Sequence, residues 1–214
     1  MNRARPRTSY VCQECGGQSP KWEGRCSHCG QWNTLAQVQV PVRAKRERWL
    51  PENGTGVQNL ATVATSDTPR ITTPFQELDR VLGGGIVPGA MVLIAGDPGV
   101  GKSSKLLQTA PYLALQGDGM LYVSGEESAQ QVRLRAERLG GSAEGVLFLA
   151  ETELEQILAQ MDSIQPALVV IDSVQTLSSQ EVPSGPGSVT QVRECTRMLM
   201  RGAKNHKAPG LLAG

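Results

Sequence analysis

The sequence predicts an α/β protein: a parallel sheet with helices on both faces, preceded by a small zinc module. Three observations carry that prediction. Two Cys-x-x-C pairs, Cys12/Cys15 and Cys26/Cys29, lie near the N-terminus. From Ile71 onward, short apolar runs alternate with stretches of helical periodicity, as in strands joined by crossover helices. The run Gly96-Asp97-Pro98-Gly99-Val100-Gly101-Lys102-Ser103 fits G-x-x-x-x-G-K-[ST], the phosphate-binding P-loop.

Bulk properties bound the reading. At 214 residues the chain is long enough for one α/β core and a small appendage. A net charge of +1 gives no global pull toward nucleic acid or membrane. The charge is uneven, however: residues 1–50 hold nine Lys/Arg against three Glu, which points to an anionic partner at that end. No apolar run approaches the ~18 residues that span a bilayer. The basic N-terminus lacks the apolar core of a secretory signal. A cytoplasmic protein with no membrane partner is expected.

Residues 1–34 read as the zinc module. Ten residues separate its two cysteine pairs, a spacing that suits a tetrahedral Zn²⁺ site with Cys12, Cys15, Cys26 and Cys29 as ligands. Gly16 and Gly30 follow the second cysteine of each pair and permit the tight turns. Four protein ligands leave no open position, so the zinc is structural. Disulfides are the alternative, disfavoured in a chain without a secretory signal. His28 is expected to face solvent, and Trp22 and Trp32 to cover a module with almost no other core. Residues 35–70 read as a flexible linker with a basic cluster, Arg43 to Arg48, and a Pro/Gly stretch, Pro51 to Gly56.

The third region, 71–214, carries the alternation. Phe75–Leu82 reads as a short helix stopped by Gly83-Gly84-Gly85. Met91–Ala95 is a buried strand, and Leu106, Leu107, Ala110, Leu113 and Ala114 mark one face of the helix after the P-loop. Strands follow at Leu121–Ser124, Val146–Leu149 and Leu168–Asp172, with helices at Ser128–Leu139 and Glu153–Ile164. A Ser/Pro/Gly loop runs from Ser178 to Gly187. A last helix, Ser188 to about Lys204, turns Val192, Cys195, Leu199 and Met200 inward.

Strand, glycine-rich loop and helix are what phosphate binding requires. The loop backbone from Gly96 to Gly101 curls around phosphate oxygens at a helix N-terminus. Lys102 reaches the β- and γ-phosphates of ATP, and the Ser103 hydroxyl binds Mg²⁺. Asp172 ends an apolar strand and fits the Walker B role at Mg²⁺. Glu126 and Glu127 follow a parallel strand at its ligand-binding edge, where a carboxylate can activate the attacking water. Acidic groups favoured by the next helix dipole are the plainer reading of that pair, and both can hold.

The order of motifs resembles one family. A four-cysteine module precedes Glu77–Gly85 (ELDRVLGGG), the P-loop, Tyr122–Ser128 (YVSGEES), Val170–Thr176 (VIDSVQT) and Pro186–Glu194 (PGSVTQVRE). Over about residues 10–204 this is similar to the bacterial RadA (Sms) family of DNA repair proteins. The resemblance implies a RecA-like ATPase core that binds single-stranded or branched DNA and promotes branch migration in recombinational repair. It implies a ring of subunits and a recombinase of the RecA type as partner. Glu126 then corresponds to the water-activating glutamate, with Glu127 beside it, and about Glu181–Gln191 to a mobile DNA-binding loop. Ser104 keeps the hydroxyl of the family's usual Thr in the nucleotide-binding set. Lys105, Pro74 and Pro111 depart from the family pattern and suggest a relaxed copy. The family continues with a further strand, a sensor residue, a Lys-Asn-Arg-Phe-Gly motif and a domain like the Lon protease fold. Lys204–Gly214 does not match that strand, and Leu211-Leu212-Ala213 is short. The sheet is therefore expected to be incomplete between the P-loop strand and the Asp172 strand, the chain truncated, and its ATP hydrolysis weak.

Overall fold

A computed structural model describes residues 7–40, 59–62, 69–97, 99–114, 119–141 and 143–214. The chain divides into two compact units, 1–69 and 70–214. The basic cluster Arg43–Arg48, the stretch Pro51–Gly56 and Pro98 lie outside the described residues. Among the described residues no helix is long and apolar enough to cross a membrane.

The first unit holds a three-stranded antiparallel sheet of β1 (Arg7–Cys12), β2 (Gln18–Ser19) and β3 (Leu35–Val40), in the order β2-β1-β3. Residues 35–40, expected in the linker, belong instead to this sheet. Leu35 pairs with Cys12 and Val40 with Arg7, so this stretch closes the zinc module's sheet. Its alternation of apolar and polar residues (LAQVQV) is a strand signal. Cys12, Cys26 and Leu35 form the small core, with Tyr10 and Cys15 against it.

The second unit is a five-stranded parallel sheet flanked by helices. Its elements are α1 (Gln76–Val81), β4 (Met91–Ile94), α2 (Lys102–Ala114), β5 (Met120–Ser124), α3 (Ala129–Arg138), β6 (Val146–Ala150), α4 (Leu154–Ile164), β7 (Leu168–Asp172), α5 (Val189–His206) and β8 (Gly210–Ala213). The strand order is β4-β8-β7-β5-β6, and every pair is parallel. The inner strands β5, β7 and β8 are buried along their full length, as strands covered on both faces must be. One apolar layer gathers Leu106, Leu107 and Ala110 of α2 with Val132 and Ala136 of α3. The other gathers Ile157 and Met161 of α4 with Cys195 and Leu199 of α5.

The sheet is not interrupted: Leu211 lies opposite Val92 of β4 on one side and Val170 of β7 on the other. Four residues suffice because β4 is itself only four residues long. Gly210 leaves room for the Met91 side chain at the entry: a Cβ there would lie 2.3 Å from its sulfur, which would have to shift. The inward face of α5 is Gln191, Cys195, Leu199 and Ala203, with Val192 and Met198 packed beside it, whereas Met200 lies outside the core clusters.

α2 runs through Pro111 and ends three residues later. The side chains of Pro111, Leu113 and Ala114 are outside the described ones. Lys105, placed where an apolar residue was expected, is exposed, and its ammonium sits 4.3 Å from the centre of the Phe75 ring. A cation–π contact thus accommodates the charge.

Candidate functional site

The four cysteines come together as the spacing predicts. Their sulfurs all lie within 4.8 Å of one another, with Cys12 to Cys29 at 3.6 Å and Cys15 to Cys26 at 3.7 Å. A tetrahedron with Zn–S bonds of about 2.3 Å has edges of about 3.8 Å, so the set fits zinc. A disulfide needs about 2.05 Å; all four are free thiols. Gly16 and Gly30 adopt φ of 71° and 75°, and their N–H groups bond Cys12 O and Cys26 O at 2.9 Å each. Burial opposes ionisation of Cys12, but the Thr34 hydroxyl and the backbone at Cys15 and Glu14 outweigh it and hold the thiol at about 6. His28 is exposed, as expected. Trp22 and Trp32 are not a cover: they are 57% and 67% exposed, flanking Gly24. The metal cage and the three strands hold the module, so the indoles are left at the surface, with the Arg25 guanidinium 5.9 Å from the Trp32 ring.

In the second unit the P-loop follows β4 and opens α2, at the C-terminal edge of the sheet. Gly99 and Gly101 have φ of 80° and 90°, a region open to glycine, and a Cβ at either would meet nothing within 4 Å. These glycines leave open space at the N-terminus of a 13-residue helix, where backbone N–H groups can face an anion. The Lys102 ammonium donates to Gly96 O at 2.6 Å and Asp97 O at 3.1 Å. It has no carboxylate partner among the described residues, leaving a charge available to phosphate. Ser104 follows in the first turn of α2.

Asp172 closes the site from β7. It is 8% exposed, yet no cation pairs with it among the described residues. Its Oδ1 accepts from Ser103 Oγ at 2.8 Å and its Oδ2 from Tyr122 OH at 2.8 Å. Burying a carboxylate without a counter-charge is costly. A metal bound here would supply that charge, so the residues fit Mg²⁺.

The paired glutamates separate. Glu127 forms an ion pair with Arg135, and its N–H donates to Ser124 Oγ at 3.2 Å. Glu126 is exposed and has no partner among the described residues. The adjacent helix is capped instead by Ser128, whose Oγ accepts from Gln131 N at 3.3 Å while Gln131 Oε1 accepts from Ser128 N at 2.8 Å. Gly125 allows the turn to sit tightly, because a Cβ there would lie 2.5 Å from Thr176 Oγ1 and 2.7 Å from a Thr152 methyl.

The loop after β7 is more ordered than its Gly/Pro content implied. Gln191, 2% exposed, donates to Ser179 O, Val182 O and Ser184 O at 3.1, 3.0 and 2.8 Å and accepts from Ser179 N at 3.0 Å. One side-chain amide satisfies several loop groups that burial would otherwise leave unpaired. Sequence reasoning missed Tyr122, Arg135 and Gln191. A signal existed for Tyr122: a phenol inside a fully apolar strand needs a partner for its hydroxyl.

This geometry defines a P-loop protein with an added zinc site. The AAA domain family model matches residues 58–214, and the chain belongs to that family. More particularly it is RadA-like along almost all of its length. It is 47% identical over 204 residues to DNA repair protein RadA of Halalkalibacterium halodurans, covering 94% of this chain and 45% of that protein. Over 215 residues it is 42% identical to RadA of Bacillus subtilis, covering 99% and 47%. Over 216 residues it is 45% identical to RadA of Escherichia coli, covering 98% and 47%. The chain thus spans just under half the length of these relatives. The rubredoxin metal binding domain model matches residues 10–37, the four-cysteine module.

Proposed function

We propose that this chain binds and hydrolyses ATP with Mg²⁺ and that single-stranded or branched DNA stimulates it, in service of branch migration during DNA repair. A recombinase of the RecA type and a ring of subunits belong to the same reading. One observation carries the ATPase assignment: Ser103 of the P-loop donates to Asp172, 69 residues away, joining the two halves of a nucleotide site. The order β4-β8-β7 makes that contact possible, so the earlier ground for weak hydrolysis falls away. Mg²⁺, when bound, offsets charge on the phosphate oxygens. Lys102 leaves its two loop carbonyls for the β- and γ-phosphates. Glu126, exposed and without a partner among the described residues, takes the proton of the attacking water. Glu127, held by Arg135, shapes the turn that presents it.

ATP turnover with and without single-stranded DNA tests this. Lys102→Ala is expected to abolish it. Glu126→Gln should lower it by about 10²- to 10⁴-fold, the scale of general-base catalysis, while nucleotide binding persists. Glu127→Gln should cost less. Stimulated turnover that survives Lys102→Ala refutes the reading.

A second reading is favoured by the exposed Trp22 and Trp32, the latter with the Arg25 guanidinium beside its ring. In it the zinc module binds nucleic acid or protein on its own account, aromatic faces and cations being a recurrent base-stacking surface. Trp22→Ala/Trp32→Ala in the full chain then weakens salt-sensitive DNA binding without changing basal turnover; unchanged binding removes this reading.

A further inference from the structure

The Asp172 carboxylate has two anchors of different character. Ser103 stands at the start of α2, next to the loop that must adapt to a ligand. Tyr122 stands in the middle of β5, fully buried, hydrogen-bonded between β6 and β7, with its ring stacked 6.3 Å from that of Phe148. A carboxylate torsion is broad and roughly two-fold, so an aspartate at a strand end does not aim itself. A donor on each oxygen removes that freedom, and only the Tyr122 donor is built into the rigid sheet. Tyr122 serves as donor alone.

We propose that Tyr122 is the positioning residue that aims Asp172 at the nucleotide's Mg²⁺, through the 2.8 Å hydrogen bond to Oδ2. It leaves Oδ1 and the Ser103 hydroxyl on the side of the P-loop. This rests on the ATP-site reading above and adds a residue that no P-loop or Walker B pattern contains. Its chemistry is that of an outer-shell partner: it touches neither nucleotide nor metal, and orients the carboxylate that faces the metal.

The test uses Tyr122→Phe in the full chain, which keeps the ring and removes only the hydroxyl. Affinity for a fluorescent ATP analogue is measured in EDTA and across a Mg²⁺ titration, beside a thermal melt. Affinity in EDTA should stay within about twofold of wild type. The half-saturating Mg²⁺ concentration should rise about tenfold to a hundredfold, the usual cost of losing an outer-shell partner. Excess Mg²⁺ should then restore turnover. In an Asp172→Asn background Tyr122→Phe should shift nothing further, because its effect passes through that carboxylate. An unchanged half-saturating Mg²⁺ in the single variant, or an equal shift in the Asp172→Asn background, overturns the proposal and leaves Tyr122 a packing residue. Wild-type chain without Mg²⁺-dependent nucleotide binding overturns the ATP-site reading and this role with it.

Discussion

Replacing Leu211 by Ala tests the placement of β8, the strand whose presence the sequence did not reveal. Leu211 is fully buried, in one apolar layer with Leu106, Ala110, Tyr122 and Val170. Its backbone lies between β4 and β7. Truncating a buried leucine costs about 2–5 kcal/mol. For a unit of this size each kcal/mol lowers the melting temperature by roughly 2–4 °C, so the expected drop is about 4–20 °C. Leu93→Ala is the control. That residue lies in β4 at the sheet's edge and is 58% exposed, so it should stay within about 0.5 kcal/mol, or some 2 °C. The assay is calorimetry of the full chain, following the transition of residues 70–214. Equal melting for wild type and Leu211→Ala would refute the reasoning, because it would mean that 210–213 is a tail and not a central strand.

Two further outcomes are expected. Gln191→Leu removes the amide that serves Ser179, Val182 and Ser184; hydrogen exchange across 179–188 should accelerate at least tenfold while α2 and β7 keep their protection. Metal analysis should find one zinc per chain; Cys26→Ser or a strong chelator should release it, with loss of exchange protection over residues 10–37, because the module's small core is largely the cysteines themselves.

Much of this protein was legible because its chemistry comes from contiguous residues. Each cysteine pair sits on one turn, and each turn is made by a glycine at the position the spacing marks. The P-loop motif occupies eight consecutive residues, so its strand, loop and helix are legible together. Failures had physical causes of their own. Trp22 and Trp32 looked like a lid because large aromatics usually seek burial, yet a metal cage and three short strands need none. Residues 35–40 read as linker because basic and Pro/Gly-rich sequence follows them, although their alternation marks a strand. The loop from Ser178 to Gly187 reads as free because Ser, Pro and Gly make up most of it; the residue that anchors it, Gln191, lies on the following helix.

Local pattern, then, determined the class of protein, the zinc ligands, the phosphate loop and the acidic candidates, because period and spacing act within a few residues. Tertiary structure alone decided which of these meet. The order β4-β8-β7-β5-β6 places four residues near the chain's end, Gly210–Ala213, between two strands that the sequence appeared to leave apart. It brings Ser103 and Tyr122 onto the Asp172 carboxylate, across 69 and 50 residues of sequence. Such outcomes depend on which strand edges pair, and a pairing across many tens of residues is settled by packing both faces of the whole sheet at once, not by any stretch read alone.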